Sequence, residues 1–218
     1  MYDFALPPTV KGEQLDNYLS QGWFRCSSIM YTIDGTYLDD IEYPVHWLRY
    51  NVKAVSLCKK NTKLISENSR FSTQCRPLEL NSEIETLYRR YSKSIEFEIS
   101  PLETIIGDNT TFDSHIIEIR DNGRLIATGI FDVGKNSMEG MINFYDPAYK
   151  KHSLGKYLML IKYQYCLENG YDYYYPGFYI PGQQVLSYKL FLDNTATEVY
   201  LREANTWIPY YEFEKQIH

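Results

Sequence analysis

The sequence predicts an α+β fold, a mixed sheet with helices and a smaller β-rich N-terminal region, on three observations. Asn122-Gly123 joins two β-rich runs and is the strongest short hairpin signal. Helical patterns follow Asn81 and Ser153, on either side of that hairpin and of a third strand. A tyrosine-rich strand near the C-terminal end is interrupted by Pro176-Gly177, the mark of a bulge or an edge.

Each element has a local cause. After an extended lead through Leu6-Pro7-Pro8, residues 13–19 read as a short helix that Gly22 ends. Residues 29–33 and 36–38 read as strands around an Asp34-Gly35 turn, and 46–52 as another strand. Residues 59–71 are polar and too weakly patterned to predict an element. Asn81 is placed to cap a helix over 82–94, where Ile84, Leu87, Tyr88 and Tyr91 share one face. The hairpin strands span 115–120 and 125–133, and a third strand spans 140–145 and stops at Asp146-Pro147. A basic loop through Lys150, Lys151 and His152 leads into a helix over 153–168, halted by Asn169-Gly170. Strands are expected over 171–180, within 184–192, and over 198–202. The expected division is a β-rich region over 1–75 and a second domain over 76–218.

The composition excludes several classes. With 218 residues, 44% hydrophobic and 16% aromatic, the chain has a core without disulfide or metal staples and is not disordered. No apolar run is long enough to span a membrane, and the N-terminus lacks the basic and apolar regions of a secretory signal. Cys26, Cys58, Cys75 and Cys166 form no C-x-x-C pair, so no metal knuckle is read, and scattered thiols fit a reduced, cytoplasmic protein. The four histidines have no metal or triad spacing. A net charge of −6 and a pI of about 5.3 weigh against non-specific nucleic-acid binding. Residues 46–94, however, carry ten Lys/Arg against four Glu, between two net-negative segments. That basic middle suits an anionic partner; a solvated helical face accounts for it equally.

The densest chemistry lies in Asn143-Phe144-Tyr145-Asp146-Pro147 and Lys150-Lys151-His152-Ser153-Leu154-Gly155-Lys156-Tyr157. A strand end feeding a basic loop and a helix start presents unpaired N–H groups to an anion such as phosphate. Gly155 allows the backbone to approach a ligand. A plain N-cap at Ser153 and a packing contact at Gly155 explain the same residues.

From residue 76 onward the chain resembles the C-terminal domain of the arginyl-tRNA–protein transferases and their bacterial leucyl-transferring relatives. The matching pieces are EIETLYRRY at 83–91, GRLIA at 123–127, FYDP at 144–147, SLG-x-Y at 153–157, YYYPGFYI at 173–180 and Tyr188-Lys189, in that order. The match is fainter at Gly22-Trp23-Phe24-Arg25 and at 56–64. The resemblance implies a fold of the N-acetyltransferase (GNAT) type, in which a central strand splays from its neighbour. It implies transfer of an amino acid, with arginine the expected donor, from charged tRNA to the α-amine of a protein N-terminus, marking it for degradation. Aminoacyl-tRNA would be a co-substrate, with no cofactor, no metal and no membrane partner, and an acceptor protein or peptide would be the other partner.

An α-amine with a pKa of about 7.7–8 and a pre-activated ester leave mainly positioning and one proton acceptor to the enzyme. Asp146 is the expected group for orienting or deprotonating the amine, although an Asp-Pro turn explains it too. Tyr175, Tyr179 and Tyr188 are candidates to bond the ester or stack on adenine, although a core position explains each of them singly. Arg90 and Lys189 are placed to pair with an acidic acceptor or a phosphate, and Lys151, Ser153, Leu154 and Gly155 with the donor. Two departures from the family are visible: its N-terminal cysteine cluster is absent apart from Cys26, and Gly182-Gln183-Gln184 replaces its cysteine before Tyr-Lys.

Two other classes remain. A coenzyme-A-dependent acetyltransferase would show [QR]-x-x-G-x-[GA], and His152, Gly155 and Tyr157 meet one position of three. A non-catalytic binder of acidic N-termini needs only the basic residues.

Overall fold

The computed structural model describes residues 2–38, 40–95, 99–108, 110–183 and 188–217. In chain order, β1 (Tyr2–Ala5), α1 (Glu13–Ser20), β2 (Phe24–Cys26) and β3 (Ile29–Ile33) come first, and their strands form a small sheet ordered β1-β3-β2. β4 (Gly35–Leu38) and β5 (Ile41–Pro44) pair as a separate ribbon. Then follow β6 (His46–Asn51), α2 (Lys59–Asn68), β7 (Ser72–Pro77), α3 (Ser82–Ser92) and α4 (Leu102–Ile106). The hairpin strands β8 (Ser114–Asp121) and β9 (Arg124–Val133) precede β10 (Ser137–Tyr145), α5 (Leu154–Glu168) and β11 (Tyr173–Tyr179). β12 (Thr197–Leu201), β13 (Thr206–Pro209) and α6 (Tyr210–Ile217) close the chain.

Eight strands make the main sheet, in the order β13-β12-β6-β11-β10-β9-β8-β7. Every pairing is antiparallel except β10 with β11, which is parallel. This is the mixed α/β sheet that the sequence predicts. Asn122 and Gly123 both take positive φ at the β8–β9 turn, as a two-residue hairpin demands. Asn81 caps α3, its side chain accepting from Ile84 N at 3.0 Å.

Alternation along the strands divides the core between two faces. Ile117, Ile119, Phe131 and Met138 meet α5, whose Leu154, Leu158 and Met159 are almost fully buried. On the opposite face, Ile116, Leu125, Ile130 and Phe144 pack with α3 and α4. Nearby, Trp47 and Tyr175 pack with Leu15, Leu19, Phe24 and Met30 of the N-terminal elements. Each such large side chain contributes about 1.5–3 kcal/mol on burial.

Several elements go beyond the sequence reading, among them α2, β7, α4, β13 and α6. α2 turns two asparagines inward, Asn61 and Asn68, in place of an apolar stripe. Of the strand expected within 184–192, the described part holds a 3₁₀ turn at Tyr188–Leu190, and 184–187 lie outside the described residues. The basic loop before α5 is a 3₁₀ turn over Pro147–His152. The expected division at residue 75 falls inside β7, and β6 lies in the main sheet between β12 and β11. Among the described residues no helix is long and apolar enough to cross a membrane.

Candidate active site

β10 and β11 run side by side only where Ser137–Glu139 face Tyr173–Tyr175. Beyond that point β10 follows β9 to Tyr145, and β11 follows β6 to Tyr179. Both strands break register as they part, between Gly140 and Ile142 and between Tyr174 and Gly177. Pro176 has no N–H to offer a neighbour. Gly177 has φ +100°, a conformation that favours glycine, and a Cβ there would lie 2.8 Å from Lys189 Nζ, so the lysine tip sits close over the strand. The result is a cleft in the middle of the sheet, floored by α5.

Gly140, Ile142, Asn143, Lys162, Tyr174 and Lys189 are among its lining residues, around a partly open space of about 50 Å³. Tyr188 and Lys189 close one side from their 3₁₀ turn, which Tyr50 holds by donating its hydroxyl to the Lys189 carbonyl. The Lys189 ammonium sits 4.7 Å from the centre of the Phe178 ring, and burial lowers its pKa to about 8. Burial raises the Tyr188 phenol to about 12. Both residues were expected at a site, and both line the cleft.

The tyrosines of β11 require a correction. Tyr175 points away from the cleft, because side chains alternate along a strand and its neighbour Tyr174 takes the cleft face. Tyr175 is 1% exposed, with its ring edge-on to Phe24 and Trp207 and Arg49 Nη1 at 3.5 Å from its hydroxyl. Tyr179 likewise packs in a cluster with Leu48, Val199, Tyr210 and Phe213. Neither is placed to touch a ligand in the cleft.

Asp146 also requires a correction. Its carboxylate is buried and accepts from Ala148 N at 3.1 Å, from Arg90 Nη1 at 3.0 Å and from Arg124 Nη2. Two guanidiniums on Oδ2 and a backbone donor on Oδ1 stabilise the carboxylate, which makes it a poor acceptor for a substrate proton. It ends β10 and caps the following turn. Arg90 and Arg124 remain about half exposed beyond it, so both keep donors turned to solvent.

The start of α5 is close to expectation in place and different in detail. Ser153 is exposed in the left-handed region (φ 49°, ψ 42°), and its side chain makes no cap bond, so the first-turn N–H groups have no serine oxygen. Leu154 has a fully buried side chain, which leaves only its backbone for a ligand. A Cβ on Gly155 would meet Tyr145 Cε1 at an ordinary 3.8 Å, and the Gly155 carbonyl accepts from Asn143 Nδ2 at 3.4 Å. Asn143 thus joins the helix start to the cleft.

The basic segment is partly spent inside the fold. Arg49 pairs with Glu198, Lys53 with Asp172 and Arg76 with Glu118. Lys59, Lys60 and Arg70 stay exposed around α2, whose end meets the turn carrying Lys150 and Lys151. Arg70, Lys151 and His152 line one shallow depression there. Burial and the neighbouring Arg70 and Lys151 charges lower the His152 pKa.

Tyr174, Asn143 and Lys162 line the cleft without a site role in the sequence reading, although Asn143 opens the stretch singled out there and Tyr174 lies in the matched YYYPGFYI. Lys162 carried a usable signal, since it interrupts an otherwise apolar and aromatic run, LMLIKYQYC, with a charge. For Tyr174 and Asn143 the stretch was visible and the facing was not, because only the strand register separates them from their neighbours.

Residues 83–196 match the family model described as "Arginine-tRNA-protein transferase, C terminus". The aspartate/glutamate leucyltransferase of Leptospira interrogans is 24% identical over 228 residues, covering 98% of this chain and 85% of that protein. Arginyl-tRNA–protein transferase 1 of Arabidopsis thaliana is 32% identical over 114 residues, covering 49% of this chain and 18% of that protein. Among solved structures, FemX superposes with a TM-score of 0.47 at 9% identity, covering 78% of this chain and 60% of the other. A GCN5-related N-acetyltransferase from Anabaena variabilis gives 0.46 at 9% identity, covering 92% and 43%.

Proposed function

The chain belongs to the arginine-tRNA-protein transferase family, and from that premise we propose that it moves an amino acid from charged tRNA to the α-amine of a protein N-terminus in the cleft between β10 and β11. The observation that carries this placement is the cleft itself. It lies wholly within the matched residues 83–196 and is the place where the main sheet opens next to a basic helix start.

The reaction is aminolysis of an ester. The acceptor nitrogen attacks the acyl carbon and the ribose oxygen of the terminal adenosine departs, so the protein contributes alignment and a route for one proton. The aminoacyl end enters between Asn143 and Tyr174, and the terminal phosphates meet Lys151, the N–H groups after Ser153 and the exposed donors of Arg90. Lys189, at the cleft wall, is placed to bond a carboxylate of the acceptor or a phosphate. The exposed lysines of α2 and the 147–152 turn carry the tRNA backbone, a local contact that an acidic protein tolerates. Leucyl- and arginyl-tRNA are both donors to test, in keeping with the names of the relatives.

The test uses purified protein, leucyl- and arginyl-tRNA with labelled amino acids, and peptides with defined N-termini. Label should pass to a peptide from one of the donors. No transfer from either, with the charging of both tRNAs verified, overturns the proposal.

A further inference from the structure

β9 and β10 each carry a glycine beneath α5. A Cβ on Gly129 would lie 2.8 Å from Asn143 Oδ1 and 3.1 Å from Lys162 Cε; one on Gly140 would lie 3.1 Å from the Tyr174 hydroxyl and 3.6 Å from Lys162 Nζ. The sheet is therefore hollow where Lys162 descends from the helix. The lysine is 1% exposed and lines the inner wall of the cleft.

What Lys162 lacks is a counter-ion. Its Nζ donates to the Ile130 carbonyl at 2.9 Å, and among the described residues no carboxylate lies within ion-pairing distance of it. Asp132 is the carboxylate that influences it, and both Asp132 oxygens are held by Arg25. A buried lysine with only a neutral partner is uncommon, and burial disfavours its charged form. Asn143 Oδ1, which a Cβ on Gly129 would also meet, is buried with no hydrogen-bond partner. An unbonded acceptor and an amine without a counter-ion therefore share the cleft lining, whereas Asp146 is held by Arg90 and Arg124 and lies outside that lining.

We propose that Lys162 is the proton acceptor of the transfer reaction, its uncharged amine taking the proton that the acceptor nitrogen loses. The proposal rests on the aminoacyl-transfer reading. The acceptor nitrogen bonds to the acyl carbon and the bond from that carbon to the ribose oxygen breaks. The proton passes from nitrogen to Nζ and then to the departing ribose oxygen, so the lysine ends the cycle as it began. Asn143 Oδ1 receives an N–H of the incoming amine and orients it.

The electrostatics agree with the geometry. Burial brings the Lys162 pKa down to about 7, against the opposing pull of Asp132 on β9, Cys166 on α5 and Cys75 on β7. Tyr174, Tyr188 and Lys189 are the other titratable groups of the cleft. An amine poised there is about half free base at neutral pH, and its protonated form is still a competent proton donor.

The test compares wild type with Lys162→Met in single-turnover transfer at saturating donor and acceptor across neutral pH. The expected result is a maximal rate lower by about 10²–10³-fold, with donor and acceptor affinities nearly unchanged and folding intact. The wild-type rate should rise through a midpoint near 7 that the variant lacks. Changing the acceptor's N-terminal residue to one of different amine basicity should move only the limb that belongs to the acceptor. Transfer by Lys162→Met at close to the wild-type rate overturns the proposal and leaves the transferase reading standing; no transfer by wild type overturns both. If the variant does not fold, NMR titration of the Lys162 side chain in the wild-type protein decides. A midpoint near 7 supports the role, and one near the ordinary value of about 10.4 overturns it.

Discussion

Replacing Arg25 with methionine isolates what holds the N-terminal elements against the main sheet. Arg25, on β2, is fully buried, and its Nη1 donates to both oxygens of Asp132 at 2.8 and 2.9 Å and to Ser114 Oγ at 2.8 Å. Its Nε reaches the Ser27 carbonyl at 2.7 Å and its Nη2 the Ile106 carbonyl, and the guanidinium lies 4.0 Å over the Phe112 ring. Methionine keeps much of the packing and removes every donor. Asp132 is left buried with Ser114 as its remaining donor, a defect worth about 3–5 kcal/mol. Proton uptake limits the loss: a carboxyl with an ordinary pKa of about 3.9 costs about 4 kcal/mol to protonate at pH 7 and about 1.5 at pH 5. Against a total stability of about 5–15 kcal/mol, that is a large fraction. It corresponds to a melting temperature lower by roughly 6–20 °C at pH 7 for a chain of this size, and the deficit shrinks toward pH 5. Urea denaturation and calorimetry at both pH values measure it. The Arg25→Met/Asp132→Leu pair removes both charges and should recover most of the loss. A single-variant loss below about 1 kcal/mol, or a double variant as poor as the sum of the singles, refutes the reasoning.

Glu139 sits beside that cluster with one oxygen bonded to Arg25 N at 2.8 Å and the other unbonded. Burial and the Asp132 charge raise its pKa to about 8. A carboxyl raised in the fold is protonated there while the unfolded chain has lost its proton, so stability should fall as pH rises from about 4.5 to about 8 and level off above. The stability gain of Glu139→Gln over wild type should grow across that window in calorimetry; a gain independent of pH contradicts the assignment. Asp146→Asn should cost about 1–2 kcal/mol through its two weakened arginine contacts. The midpoint of the rate–pH profile should stay in place, since the residue's role is to hold structure; a lost limb shows otherwise. Reversing Lys59, Lys60 and Lys151 to Glu should weaken tRNA binding in filter assays and reduce its logarithmic salt slope by about two or more. An unchanged slope moves the tRNA contact elsewhere.

Much of the architecture is legible in the chain because its causes are local. Asn122-Gly123 specifies the hairpin, Asn81 and the Ile84/Leu87/Tyr88 spacing specify α3, and Pro176-Gly177 marks the place where β11 leaves its parallel neighbour. The hidden elements are those whose stabilising contacts come from far along the sequence. α2 buries Asn61 and Asn68 because distant carbonyls at Leu192 and His152 receive their amides. β7 is a polar edge strand whose cause is pairing with β8. The same distinction runs through the site. Tyr188, Lys189 and the α5 start follow from motif order. The exchange of Tyr175 for Tyr174 depends on which face of β11 the N-terminal elements cover. Asp146 reads as a lone carboxylate in sequence, and Arg90 and Arg124 reach it only after folding.

The account places the chemistry in the gap where β10 and β11 separate. A crystal structure with a non-hydrolysable aminoacyl-adenosine analogue, its ester replaced by an amide, tests that placement most directly. The acyl carbon should lie between Asn143 and Tyr174, within reach of Lys162, with the adenosine toward Ser153–Gly155. An analogue bound at any other surface, with the gap unoccupied, contradicts the account.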